Sequence, residues 1–241
     1  MYCFVVVNPR LSRSPFTYAM PNLNLGNSDT YMPLLALVVL IYVWKFVHGL
    51  EKKFLLLYIA GSLFTFAITN ILRYQKVPNL YLYHFYTWFE LIVVSYFITT
   101  ATYRRRNAVY YLLIISFTIF AVIDISFWES LSKFNSNTST AASIILLVLS
   151  MLYVLQLTKS DEILYFQKLP SFWFVTAFLV SSALSIPLMI KYGFYTGDPK
   201  NFSEGNNLWG IMDLTYIIKF VLICVGMLCY KFYPPQVSTS K

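Results

Sequence analysis

The chain has 241 residues, 58% of them hydrophobic and 19% aromatic but only 12% charged, and its mean hydropathy is +0.62. A soluble domain carries about 25% charged residues, so this chain lacks the surface to face water and reads as an integral membrane protein. The net charge of +8 does not point to nucleic acid, because the basic residues sit in short segments between apolar runs and form no basic face with interleaved aromatics.

Residues 1–30 are of mixed character. Cys3-Phe4-Val5-Val6-Val7 is too short for a signal-peptide core and follows no basic region. The segment reads as a poorly ordered tail, with Met20 as an alternative start. Seven apolar runs follow, each near the roughly 20 residues that a bilayer core requires. They are placed at Tyr31–Val47, Phe54–Leu72, Leu80–Thr102, Ala108–Phe127, Ala141–Leu157, Ser171–Ile190 and Leu208–Tyr230. Barrel strands alternate in polarity and are about half as long. The expected fold is therefore all-α, a seven-helix membrane bundle over residues 31–230 with a short tail at 231–241.

Orientation follows from the loop charges. The first, third and fifth loops and the C-terminal tail hold Lys45, Lys52, Lys53, Arg104, Arg105, Arg106, Lys159, Lys168, Lys231 and Lys241. The other side holds Arg10, Arg13, Arg73, Lys76, Lys133, Lys191 and Lys200. The bias places the N-terminus outside and the C-terminus in the cytoplasm, in the inner (plasma) membrane. Segments 130–140 and 192–207 are then long outer loops, each with an Asn-x-Ser/Thr triplet, at Asn137 and Asn201. Three cysteines, Cys3, Cys224 and Cys229, make neither a disulfide framework nor a paired metal motif.

The polar residues inside the runs carry the functional reading. At about 1.5 Å per residue, Glu90 in the third run and Lys219 in the seventh both lie roughly 15 Å from the outer helix ends. A lone charge at that depth costs roughly 2.5–3.5 kcal/mol even on insertion scales, so the two are expected to pair. Tyr83, Tyr86, Thr87 and Glu90 recur every three or four residues and share a helix face. Asn70, His84, Asp124 and Asp213 form an outer layer nearer the surface. The candidate ligand-binding set is thus Glu90, Lys219, His84, Asp213, Asp124, Tyr83, Tyr86, Thr87 and Asn70. Ser181, Ser182 and Ser185 could add the sixth helix's contribution. Against a ligand role, Asn70 and these serines read equally well as interhelical glue, His84 as a hydrogen-bonded core histidine, and the aromatics as an interfacial belt.

The run Asn79-x-x-x-Tyr83-His84-x-Tyr86-Thr87-x-x-Glu90 resembles a signature of small, uncharacterised seven-helix bacterial membrane proteins. Pro33, Pro170-Ser-Phe-Trp173 and Ile-Ile-Lys219 fall in a similar order. The resemblance implies a fold and a location but no activity. More loosely, such bundles are similar to the membrane input domains of sensor kinases.

The expected function is a ligand-binding, sensing or assembly module with an outward-opening pocket. Its partners would be the bilayer, a small amphipathic or zwitterionic ligand, and a membrane or cytoplasmic protein. No cofactor or metal is expected, since only His48 and His84 are available for a zinc centre. An intramembrane enzyme acting on a lipid or isoprenoid is the alternative, with His84 and Asp124 or Asp213 as an acid–base pair. A retinal-type photoreceptor on Lys219 fits less well, because Asp213 stands further before it than the aspartate of microbial rhodopsins does. An ion-coupled transporter would show an internal repeat or broken helices, and neither stands out.

Overall fold

The computed structural model describes residues 28–75, 77–103, 108–131, 133–159, 161–195 and 202–233. The N-terminal tail through residue 27, Lys76, the arginine run 104–106, Lys200, Asn201 and residues 234–241 of the C-terminal tail lie outside them. Seven α-helices run through the described residues: α1 (Ser28–Val43), α2 (Gly49–Tyr74), α3 (Tyr81–Tyr103), α4 (Ala108–Phe127), α5 (Ser136–Leu157), α6 (Pro170–Tyr195) and α7 (Phe202–Phe232). A 3-10 segment, Asp161–Lys168, leads into α6.

Five helices, α2, α4, α5, α6 and α7, are long and apolar enough to cross a membrane. The apolar part of α1, Tyr31–Val43, is shorter. With 23 residues α3 has the length, but His84, Glu90 and five tyrosines lower its apolarity. The chain is a multi-pass helical membrane protein.

Element boundaries differ from the apolar runs for local reasons. Gly49 has φ +66°, a left-handed turn that only glycine adopts without strain, and α2 starts there rather than at Phe54. The charged first turn lies beyond its apolar part: Lys52 reaches back, its Nζ 3.8 Å from the Trp44 ring centre and 3.3 Å from the Trp44 carbonyl. Segment 130–140 is helical from Ser136 onward. Asn, Ser and Thr are tolerated in a first turn, whose N–H groups need outside acceptors, and Asn137 N–H donates to Glu129 Oε2 at 3.0 Å. Likewise α6 runs to Tyr195 and α7 starts at Phe202, so segment 192–207 is helical at both ends.

Packing partners define a ring in the order α1, α2, α3, α5, α6, α7 and back to α1, while α4 leans on α3 and α5 from outside. Accordingly α4 exposes Leu112, Ile115, Ile119 and Val122, an apolar face suited to lipid. Two small hydroxyls on α3 are satisfied within the helix: Thr99 Oγ1 donates to the Ser95 carbonyl and Thr102 Oγ1 to that of Ile98, each at 2.7 Å.

Close approach at two crossings requires glycine. A Cβ at Gly61 would stand 2.2 Å from the Phe89 ring, and one at Gly226 would stand 2.6 Å from Phe174 and 3.0 Å from Trp173 Cβ. Phe174 is fully buried, so the α6–α7 crossing cannot relax cheaply. Gly226→Ala is therefore expected to lower the unfolding temperature in detergent, by an overpacking cost of about 1–3 kcal/mol. Gly210→Ala on the same helix, with nothing within 4 Å, is expected to leave it unchanged or raise it. Equal behaviour of the two variants would contradict the packing.

Candidate functional site

At the centre of the ring, Lys219 Nζ on α7 lies 2.7 Å from Glu90 Oε1 on α3. The Tyr58 hydroxyl on α2 donates to that same oxygen at 2.7 Å. Three helices thus converge on one atom. The Lys219 ammonium is also ringed by aromatic faces, with Tyr216, Tyr58, Phe178 and Phe220 centroids 4.8, 5.8, 5.9 and 6.0 Å away, within cation–π range. One turn from Glu90, the Tyr86 hydroxyl and Ser62 Oγ are 3.1 Å apart and tie α3 to α2 again.

The two sides of this pair differ in kind. Toward the α1–α2 and α3–α4 connections the interior is filled by phenylalanine. Phe54 stacks on Phe97 at 4.2 Å, and both approach Phe174 at 6.1 Å; all three are buried. Toward the α2–α3 and α6–α7 connections lies a partly open cavity of about 150 Å³. Its walls include Phe66 from α2, Tyr83, Tyr86, Thr87 and Glu90 from α3, and Ser139 and Ser143 from α5. Ser181, Ser182 and Ser185 from α6, and Asp213, Tyr216 and Lys219 from α7, also line it, among apolar side chains such as Leu146, Phe178 and Met189.

Six of the nine candidate residues therefore meet: Glu90, Lys219, Asp213, Tyr83, Tyr86 and Thr87. The other three sit elsewhere. His84 is buried with Nε2 3.2 Å from the Lys133 carbonyl. Six residues before Glu90, it is turned about 120° around α3 at 3.6 residues per turn. Asp124, also buried, accepts from Asn137 Nδ2 at 2.9 Å. Asn70 accepts from Arg73 on its own helix. His48, at the far end, is exposed and contacts the Phe46 carbonyl at 2.8 Å. Among the described residues no cluster of three or more His, Cys, Asp or Glu is placed to hold a metal.

Sequence reasoning missed Asn135, because its segment was read as an outer loop. It is buried, and its Nδ2 donates to Thr87 Oγ1 at 2.7 Å and to the Tyr83 carbonyl at 3.1 Å, fixing the cavity wall of α3 to the start of α5. Tyr58 was missed too. The available signal was its phenol at the depth of the charged pair.

Beside the cavity, the loop after α4 holds a second polar group. Half-buried Glu129 accepts the Asn137 N–H and lies near Asp124. Burial pushes its carboxyl up to about 7, opposed by the Asn137 hydrogen bond and reinforced by the Asp124 charge.

No protein-family model, curated protein or solved structure matches the chain. Fold and site together define a helical membrane protein whose bundle holds a cavity of mixed polar and apolar lining beside a partly buried ion pair.

Two outcomes follow from the geometry. Glu90→Gln leaves the buried Lys219 ammonium without its partner and is expected to destabilise the protein by about 3–5 kcal/mol, whereas Lys219→Met leaves the less buried Glu90 carboxylate and should cost less. The double variant should regain most of that in thermal unfolding; additive losses would show that the two charges act independently. For Glu129, the unfolded chain releases its proton near pH 4.5 while the fold keeps it until about 7. Its contribution is thus full below pH 4.5 and fades as pH rises through 7. The unfolding temperature of wild type relative to Glu129→Gln should fall between pH 4.5 and 8, and a constant difference would refute the shift.

Proposed function

We propose that the chain is a ligand-binding and sensing module of the inner membrane. It would have seven spans, the N-terminus outside, and a cavity that opens outward. The observation that carries this reading is that the cavity is a dead end. A conduction path needs polar or wet surface through the whole depth of the bilayer. Here a wall that mixes hydroxyls and carboxylates with apolar side chains gives way, past Glu90 and Lys219, to stacked and buried phenylalanines. A molecule can enter such a site and leave by the same mouth.

The outward direction is supported by the loop charges. The cavity lies toward the connections that positive-inside bookkeeping puts outside, and the opposite end carries Lys45, Lys52, Lys53 and Lys159. The two helices beyond the five apolar ones fit as spans in this arrangement. In α3, Glu90 and Tyr86 are neutralised or hydrogen-bonded inside the bundle, and α1 packs against both α2 and α7. A ligand touching α3, α5, α6 and α7 at once would favour one packing of these helices over another. The basic inner loops would present that difference to a partner protein.

Accessibility tests the reading. In sealed cells, Ser182→Cys on the cavity wall is expected to react with a membrane-impermeant thiol reagent added outside. Val94→Cys, one turn beyond Glu90 in the buried core, is expected to stay unreactive, with the native cysteines measured as the blank. An unreactive Ser182→Cys, or equal reaction at both positions, would reject an outward-opening dead end.

A further inference from the structure

Resting on that reading, we propose that the cavity selects a small organic cation, a protonated amine on an apolar or aromatic body, with Glu90 and Asp213 as its anionic partners. The asymmetry of Glu90 is the first reason. Its Oε1 takes both the Tyr58 hydroxyl and the Lys219 ammonium at 2.7 Å. Its Oε2 has no hydrogen bond among the described residues, and the side chain is 20% exposed against 8% for that of Lys219. What the floor offers an incoming molecule is thus a carboxylate oxygen. The ammonium is held back under four aromatic rings.

The second reason is charge along the wall. Glu90 and Asp213 bring two carboxylates, and Lys219 is the only cation among the described lining residues. Asp213 sits nearer the mouth, where its Oδ1 accepts from Ser28 Oγ at 3.2 Å. A cation entering by that route passes Asp213, which is already engaged, and then reaches the Glu90 oxygen that has no hydrogen bond among the described residues. An anion would pass Asp213 and then compete with Glu90 for an ammonium already engaged.

Third, the walls suit the rest of such a ligand. Phe66 packs against Tyr86 and Tyr216 with both centroid distances 5.6 Å. Aromatic faces attract alkylammonium groups through the ring quadrupole, and the α6 serines add hydroxyl oxygens that accept N–H donors. The volume of about 150 Å³ matches an apolar cavity that admits benzene. The part of the ligand held inside would therefore be roughly one ring with a short side chain.

Charge-selective labelling and protection test this. On the purified full chain carrying Ser182→Cys, a cationic thiosulfonate is expected to react about tenfold or more faster than an anionic one of equal size, each rate normalised to a free thiol. Adding Glu90→Gln should bring the ratio toward one. Asp213→Asn should lower it as well, which serves should the first variant fail to fold. Phenethylammonium should protect the cysteine, whereas phenylacetate and 2-phenylethanol should not. Reaction with both reagents at equal rates, or protection by the alcohol or the acid as well as the amine, overturns the cation preference and leaves the cavity reading intact. No reaction with either reagent overturns both.

Discussion

Placing a carboxylate and an ammonium at mid-bundle constrains everything around them. Neither charge is tolerated alone in an apolar interior, so Glu90 and Lys219 must meet, and their meeting fixes the depth of α3 against α7. The Tyr58 hydroxyl extends the constraint to α2. Rings from α2, α6 and α7 close over the ammonium. With one oxygen saturated by two donors and the cation shielded by π-faces, the pair becomes a plug with a chemically distinct face on each side. Toward one end the rings continue as a phenylalanine stack; toward the other, hydroxyls and a second carboxylate line open space.

Such a pair is poor evidence of stability in itself. Apolar residues of the same volume would serve a bundle as well or better, since desolvating two ions consumes most of the Coulombic gain. Stability alone would favour a pair fully enclosed by partners. Here Glu90 lines the cavity, and one of its carboxylate oxygens has no hydrogen bond among the described residues. That residual polarity, rather than the salt bridge, is what sets the place apart from a purely structural pair and supports the proposed binding role.

Much of this was legible in the sequence, and the rest was hidden for definable reasons. Depth along a helix follows from counting residues, so pairing Glu90 with Lys219 needed only the positions of two apolar runs. Azimuth is harder. The face shared by Tyr83, Tyr86, Thr87 and Glu90 followed from their spacing, but His84 and Asp124 were grouped with it by depth alone, and both turn to other partners. Hydropathy also mislocates helix ends, because first turns accept polar residues. It missed the polar start of α5, and with it Asn135, whose amide holds the cavity wall to α3. On the other hand, hydropathy alone says nothing of how several polar groups of α3 find partners on neighbouring elements.

That pairing decides how a helix so rich in polar groups is held among its neighbours. Along α3, the His84 ring meets the Lys133 carbonyl, Tyr86 meets Ser62, Thr87 meets Asn135, Trp88 donates to Thr118, and Glu90 meets Tyr58 and Lys219. Its partners lie on α2, α4, α7 and the segment that opens α5, so α3 is fastened on every side by polar contacts that lipid could not provide. An apolar helix can slide against its neighbours at little cost, whereas this one is held in a single register and rotation. Cavity walls built on it are positioned in advance of any ligand, and preorganisation of that kind lowers the ordering cost of binding. The same polar residues that lower the apolarity of α3 are those that make it a fixed wall of the cavity.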